Sequence, residues 1–223
     1  MKKTALIILL AANISFGQQP FIMWNFEARH QVLDSIVKVF NDNGGQGTGI
    51  IINVDTNKEV GNGYEGYCLT AFHVVENSTE VSIEYNNGKR AKQCTLKFFD
   101  KENDVAIVWV WVPKGIIPAV LSNNNIVPGD NLHIAGLGNN APFNAIRFFP
   151  AQAENTTTSN QIFSNSYLLP GDSGGPVFNN NYEVVGVISG GLLWSEQLQP
   201  RFTWPGRFCN VHPIRNLYDQ IKR

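Results

Sequence analysis

Gly171-Asp172-Ser173-Gly174-Gly175-Pro176 sets a serine inside a glycine-dense turn. Glycine adopts backbone conformations that strain other residues, and it leaves room for a substrate carbonyl to approach main-chain N–H groups. Gly, Asp, Ser and Pro are also the ordinary residues of a tight connection between strands, so the hexapeptide alone leaves a plain turn open beside a nucleophile. Two upstream segments favour the nucleophile. Leu69-Thr70-Ala71-Phe72-His73-Val74-Val75 places a histidine at the end of an apolar run that reads as a buried strand. Asn103-Asp104-Val105-Ala106-Ile107-Val108 opens another such run on an aspartate. A serine alcohol is a weak nucleophile until an imidazole takes its proton, and that imidazole needs a carboxylate to fix its tautomer and stabilise its charge. Ser173, His73 and Asp104 supply the three parts.

They occur in the order His, Asp, Ser, which is the chymotrypsin order and differs from that of subtilisin and the α/β-hydrolases. With these motifs the chain resembles the trypsin-like serine proteases, and within them the bacterial heat-shock (Deg) branch. Gly45-Gln46-Gly47-Thr48-Gly49-Ile50-Ile51-Ile52 is similar to that branch's glycine-rich first barrel strand, and Val81 to Arg90 to its hairpin before the aspartate strand. Asp172 departs from the branch, which usually carries asparagine before the serine; the chain thus mixes bacterial and animal patterns.

The resemblance implies an all-β fold of two six-stranded antiparallel barrels, with the active site in the cleft between them and a short C-terminal helix. It implies an oxyanion hole from the N–H groups of Gly171 and Ser173, and it makes Asp172 a carboxylate that holds the oxyanion loop by pairing with a cation or with backbone donors. The specificity pocket would be walled by Tyr167, Leu168 and Leu169, by Ser189-Gly190-Gly191, and by Gly206 with Phe208. None of these is charged, which disfavours a substrate Arg or Lys, since a buried cation needs a counter-charge. Ser189 matches a family serine that hydrogen-bonds the catalytic aspartate, and Gly191 a backbone that pairs with substrate as an added strand. Ser35-Ile36-Val37-Lys38-Val39 resembles the first strand of the Deg proteases, which need no activating cut, and no Ile-Val-Gly-Gly-like sequence lies between Gln18 and Val39. With the sequence ending at Arg223, the peptide-binding (PDZ) domain that Deg proteases usually append is not expected.

Elsewhere, short apolar runs separated by Gly, Asn and Pro read as an all-β protein. The first barrel is expected over about 34–112, the second over about 119–211 and a helix over about 213–222, with Pro113 to Pro118 as linker. Val105 to Val112 is apolar on both alternating faces, so this strand should be covered on both sides, with Trp109 and Trp111 as packing residues. Asn131 to Leu137 and Glu183 to Ser189 supply strands of the second half. Ile214, Leu217, Tyr218 and Ile221 share one helical face, as in a helix packed on a barrel.

With 223 residues, 43% hydrophobic and 16% charged, the chain can bury a sizeable core. A formal net charge of −1 gives no electrostatic footprint for nucleic acid. Lys2-Lys3, the apolar stretch Ala5 to Ala12 and Ser15-Phe16-Gly17 read as a signal peptide cut after Gly17, too short in its apolar part for the ~20 residues that span a bilayer. The mature chain, 18–223, is therefore expected to be secreted or periplasmic, with no stable membrane association once the leader is gone. Of the three cysteines, Cys68 and Cys94 could be linked within the first barrel, while burial as small hydrophobes suits all three, Cys209 included. The histidines are scattered and no Cys or His pair has ligand spacing, so neither metal nor cofactor is expected. His30, His133 and His212 lack the motif that flanks His73. Asn77-Ser78-Thr79 and Asn155-Thr156-Thr157 match the glycosylation acceptor pattern, which matters only in a eukaryotic secretory pathway. The reading is a serine endopeptidase acting on polypeptides, after uncharged apolar residues. The alternative is a catalytically silent scaffold that binds peptides or a partner.

Overall fold

The computed structural model describes residues 32–156, 161–191 and 205–221. The leader, His30 and the chain between Gly191 and Pro205 lie outside these, as does part of the second glycosylation pattern.

Six strands make the first half: β1 Ile36–Asn41, β2 Gln46–Val60, β3 Gly63–Thr70, β4 Val81–Glu84, β5 Arg90–Asp100 and β6 Val105–Pro113. They pair antiparallel in the order β1-β2-β3-β6-β5-β4, and β1 also pairs with β4, which closes the sheet into a barrel. The glycine-rich segment is thus the second strand; Ile36 to Val39 forms the first and pairs with it from Ile36 opposite Ile50 to Phe40 opposite Gln46. Val81 to Arg90 does form a hairpin, β4 turning into β5 through Gly88. Ile36, Val37, Val39, Ile50, Ile51, Leu69 and Ile83 are inaccessible to solvent and form the barrel core.

Val105, Ala106, Ile107 and Val108 of β6 are likewise inaccessible, because β6 runs between β3 and β5 and carries a helix on its outer side. That helix, Val211–Ile221, buries Ile214, Leu217 and Tyr218. Asn53 of β2 donates to the Tyr218 hydroxyl at 3.1 Å, so the end of the chain returns to the first half. Trp111 is half-buried, meets Tyr85 edge-on with ring centroids 6.4 Å apart, and donates its indole N–H to Val60 O at 2.8 Å, as a packing residue does.

The second half contains β7 Asn131–Gly136, β8 Arg147–Thr156, β9 Gln161–Tyr167, β10 Pro176–Phe178, β11 Val184–Gly191 and β12 Pro205–Asn210. Their order is β10-β11-β12-β9-β8-β7, and β7 meets β10 at Ile134 opposite Val177 and His133 opposite Phe178. Two short 3-10 turns, Gly138–Asn140 and Phe143–Ala145, separate β7 from β8. His133 lies flanked by the rings of Phe148 and Tyr182, with centroids 6.0 and 6.2 Å away, and burial lowers its pKa, as suits a packed strand histidine.

A further expectation is corrected. The apolar run Leu69 to Val75 is not one strand: β3 ends at Thr70, and Phe72–Val75 is a single helical turn, so His73 stands on a helix. The strand stops because the Phe72 and His73 amides turn away to Asp104 instead of continuing the ladder with β6. Cys68 and Cys94, which the sequence leaves open to a link, are free and buried, in keeping with their reading as small hydrophobes.

Candidate active site

Asp104 lies in the turn between β5 and β6 with φ 54°, a left-handed conformation that aspartate tolerates better than most residues. In that conformation it holds the helical turn at two amides. Its carbonyl accepts from Phe72 N–H at 3.2 Å, and its Oδ1 accepts from His73 N–H at 2.8 Å. Its other oxygen, Oδ2, lies 2.7 Å from His73 Nδ1. An ionised carboxylate can only accept, so Nδ1 carries a proton, and in the neutral imidazole Nε2 keeps a lone pair. Oδ2 also accepts from Ser189 Oγ at 2.6 Å, a bond that crosses from the second half to the first. Ser189 can make it because β11 bulges there: Ile188 pairs with Phe208 and Gly190 with Arg207, which leaves Ser189 as the extra residue. Burial pushes the Asp104 carboxyl up, yet the bonds from His73 and Ser189, with the charge His73 has when protonated, outweigh it and hold the group below its ordinary value. The His73 side chain is 46% exposed, open enough for a substrate to reach.

Ser173 is positioned by its main chain. Thr48 N–H of β2 donates to Ser173 O at 2.8 Å, while the next amide, Gly174 N–H, donates to Ile188 O of β11 at 2.7 Å. Gly174 has φ 84°, and a Cβ there would stand 2.1 Å from both Thr48 O and Thr70 Oγ1, so no larger residue fits. Of the amides from Leu169 to Gly175, Leu169, Asp172, Gly174 and Gly175 all donate within the chain. Gly171 and Ser173 are the pair left without a partner among the described residues. No hydrogen bond joins Ser173 Oγ to His73 among them either; apo sites often hold such contacts loosely.

Asp172 is fully buried, yet three donors meet it: Gly138 N–H at 2.9 Å on Oδ1, and Leu169 N–H at 2.8 Å with the Arg147 guanidinium on Oδ2. Burial raises its pKa against the pull of these donors. Thr48, like Arg147, is not singled out by the sequence motifs. Its buried hydroxyl donates to Gly171 O at 2.7 Å and accepts from Leu137 N–H at 3.0 Å, tying the first barrel to both sides of the serine loop. Its place between two glycines in β2 was the available signal; Arg147 carried none, since its partner lies 25 residues away.

The remaining pocket residues lie along neighbouring backbones. Gly190 and Gly191 of β11 face Arg207 and Gly206 of β12, and Tyr167 of β9 faces Pro205. Leu168 is buried and Leu169 half-buried. The side chains of Tyr167 and Phe208 are outside what the structure describes.

The chain belongs to the trypsin-like peptidase domain family, whose model matches residues 47–187. Among curated relatives it is 26% identical over 149 residues to the periplasmic pH-dependent serine endoprotease DegQ of Escherichia coli, an alignment covering 64% of this chain and 30% of that one. To the periplasmic serine endoprotease DegP of the same organism it is 23% identical over 147 residues, covering 63% and 29%. The chain therefore spans about 30% of the length of these relatives. Among solved structures it resembles the serine endoprotease of Yersinia pestis, with a TM-score of 0.67 at 18% identity over 87% of this chain and 65% of that one. It also resembles an inactive form of the Rv3671c protease of M. tuberculosis, with a TM-score of 0.64 at 20% identity over 89% and 91%. At these identities the structural likeness speaks for the fold.

Proposed function

We propose that the chain is an exported serine endopeptidase whose active site lies in a cleft between two barrels, with His73, Asp104 and Ser173 as its triad. The observation that carries this reading is the pair of amides at Gly171 and Ser173, on either side of Asp172, that have no partner among the described residues. A turn built only to connect strands, or a silent scaffold, has no use for two unbonded donors beside a serine, whereas an oxyanion does. Asp104 Oδ2 holds the His73 ring by Nδ1–H, and His73 Nε2 takes the Ser173 proton as Oγ attacks the peptide carbonyl. The carbonyl oxygen gathers negative charge between the two amides. His73 then passes the proton to the leaving amine, and water attacks the acyl-enzyme by the same route in reverse.

Substrate preference follows from the pocket walls: Leu168 and Leu169, Ser189-Gly190-Gly191, and Gly206 with Phe208 and Tyr167 bring no charge. An uncharged apolar side chain is therefore favoured before the cleaved bond. Location outside the cytoplasm is supported by the leader-like first 17 residues and by the relatives, which are named as periplasmic.

Hydrolysis of a peptide library by the mature chain and by Ser173→Ala tests both points. The wild type is expected to cut after apolar residues, and Ser173→Ala to lose on the order of 10⁶ in kcat. Equal turnover by the two proteins sinks the mechanism, and cleavage mapped mainly after charged residues sinks the pocket. A wild type that binds peptides but neither hydrolyses them nor reacts with a fluorophosphonate is the silent scaffold.

A further inference from the structure

We infer that the segment Phe21-Ile22-Met23-Trp24-Asn25-Phe26 seats in an apolar groove on the connection between the two halves and ties them together at a distance from the candidate active site. This goes beyond the endopeptidase reading and does not depend on it.

The groove has a volume of about 280 Å³ and brings together three stretches of chain: Val32 ahead of β1, the connection from Ile117 to Val120, and the turn from Asn181 to Glu183 between β10 and β11. Ile117 and Val120 are 53% and 61% exposed and share this concavity with Val32, which sets them apart from apolar side chains scattered singly over a surface. The walls are fixed in advance. Ala119 N–H donates to Ile51 O of β2 and Val184 N–H of β11 donates to Val120 O, both at 2.8 Å, so the connection is pinned to the first half on one side and to the second on the other. The Tyr182 amide donates to Asn179 O at 3.1 Å, and its ring lies 6.2 Å from that of His133. Glu183 is the charged residue of the lining, and its carboxylate already accepts from Asn179 at 2.8 Å and Ser122 at 3.1 Å. What the groove offers an occupant is therefore mainly apolar contact. Pro118 has no N–H and Val120 O is engaged, so side chains rather than an added strand are what it can hold.

The occupant is indicated by where the chain leads. Val32 is the first described residue and lines the groove, so the upstream chain emerges at its edge. There Gln18 to Phe26 carries no charge and contains Phe21, Ile22, Met23, Trp24 and Phe26, whereas Glu27 to Gln31 is polar apart from Ala28. The polar stretch can span at most about 17 Å, enough to lay the apolar segment back across the groove and too little to carry it far away. So short a leash gives the segment an effective concentration on the order of millimolar at the groove, which a free peptide or a second copy does not match in dilute solution. The volume agrees, since pockets that enclose free small molecules run from about 300 to 1,000 Å³ and this one suits one or two anchoring side chains such as Trp24.

The test uses the chain from Gln18 to Arg223 with photoreactive p-benzoylphenylalanine in place of Trp24. Irradiation is expected to give a product of monomer mass whose cross-linked peptides map to residues 117–120 or 181–183. Val120→Asp, at an exposed position the fold tolerates, should cut that product about tenfold or more, since an unpaired carboxylate is costly to bury among apolar side chains. Urea unfolding of Trp24→Ala, Val120→Asp and the double variant gives a second readout. Each single variant should lower the midpoint, and the double variant should fall no further than the weaker of the two, because both remove the same contact. A product of dimer mass means that a second copy fills the groove and overturns the proposal, as do cross-links that map elsewhere. Additive losses in the double variant overturn it as well. So does displacement of the monomer-mass product by a free peptide substrate, which would make the groove a substrate subsite. If the photoreactive residue at position 24 prevents folding, the same residue in place of Phe21 and the urea comparison decide the matter.

Discussion

At the scale of single residues, Asp104 is the most heavily used group in the site. One carboxylate holds the His73 ring, the His73 amide and the Ser189 hydroxyl, and its carbonyl holds Phe72. Asp104→Asn keeps the shape but offers an N–H where His73 needs an acceptor, so the ring takes the wrong tautomer. Peptide hydrolysis by this variant should fall by about 10⁴ in kcat with the fold retained, as judged by circular dichroism. The pH dependence has a definite sign. Asp104 titrates below its ordinary value in the folded chain, so the stability it contributes is present above the unfolded carboxylate pKa of about 3.9 and is lost as pH falls through the lower folded value. Urea titrations of wild type and Asp104→Asn should therefore differ most near neutrality and converge in acid. Asp172, raised by burial, acts in the opposite sense and does not mask the trend in the variant comparison.

Among the elements, β2 does more than fill a place in the first barrel. Its Thr48 bonds Ser173 O and Gly171 O and receives Leu137 N–H, while Thr70 of β3 donates to Thr48 O at 2.8 Å. Thr48→Val preserves shape and removes the hydroxyl, which leaves the buried Leu137 amide unpaired and Gly171 O without its donor. A loss of about 2–4 kcal/mol in urea unfolding is expected, together with a reduced kcat. Unchanged stability would show that Thr48 does not tie the halves together. Cys68 of β3 and Cys94 of β5 give a second check on the same barrel. Burial pushes the Cys68 thiol far above its usual value and the Cys94 thiol up to about 12. A maleimide reagent should label neither in the native protein and both after denaturation; fast native labelling would contradict the packing of this barrel.

For the whole molecule, the question is whether the two halves assemble a working site without a processing cut. Ile36 and Val37 are already built into β1 with no solvent exposure, and Asp172 already has its cation. Protein that begins at Gln18 with a blocked N-terminus should hydrolyse peptides as fast as unblocked material. Activity that appears only after cleavage near residues 29–36, with the new amine required, would show a zymogen. The helix Val211–Ile221 adds a mechanical tie, since Arg215 donates to Leu121 O at 2.7 Å and to Ser122 O at 2.5 Å in the connection between the halves while Tyr218 reaches Asn53.

The residues of the candidate site were legible because their chemistry is local: a glycine-dense turn around Ser173, a histidine after an apolar strand, an aspartate before the next one. The double-sided apolar pattern of β6 was legible for the same reason, since alternation along one strand records what covers each face. Which strand the glycine-rich segment would become, and that His73 would ride on a helical turn, depended on where distant carbonyls could accept its amides. The partners of Asp172 needed folding most of all. A buried carboxylate announces that it must be neutralised, but Arg147, Gly138 and Leu169 reach it only because β7, β8 and the serine loop meet in space, and no spacing along the chain encodes that meeting. Sequence by itself thus determined the candidate reactive groups and the family, through patterns confined to a few neighbouring residues. Tertiary structure alone decided how the loop is held, because charge compensation and hydrogen bonding act over a few ångströms between segments far apart in the chain.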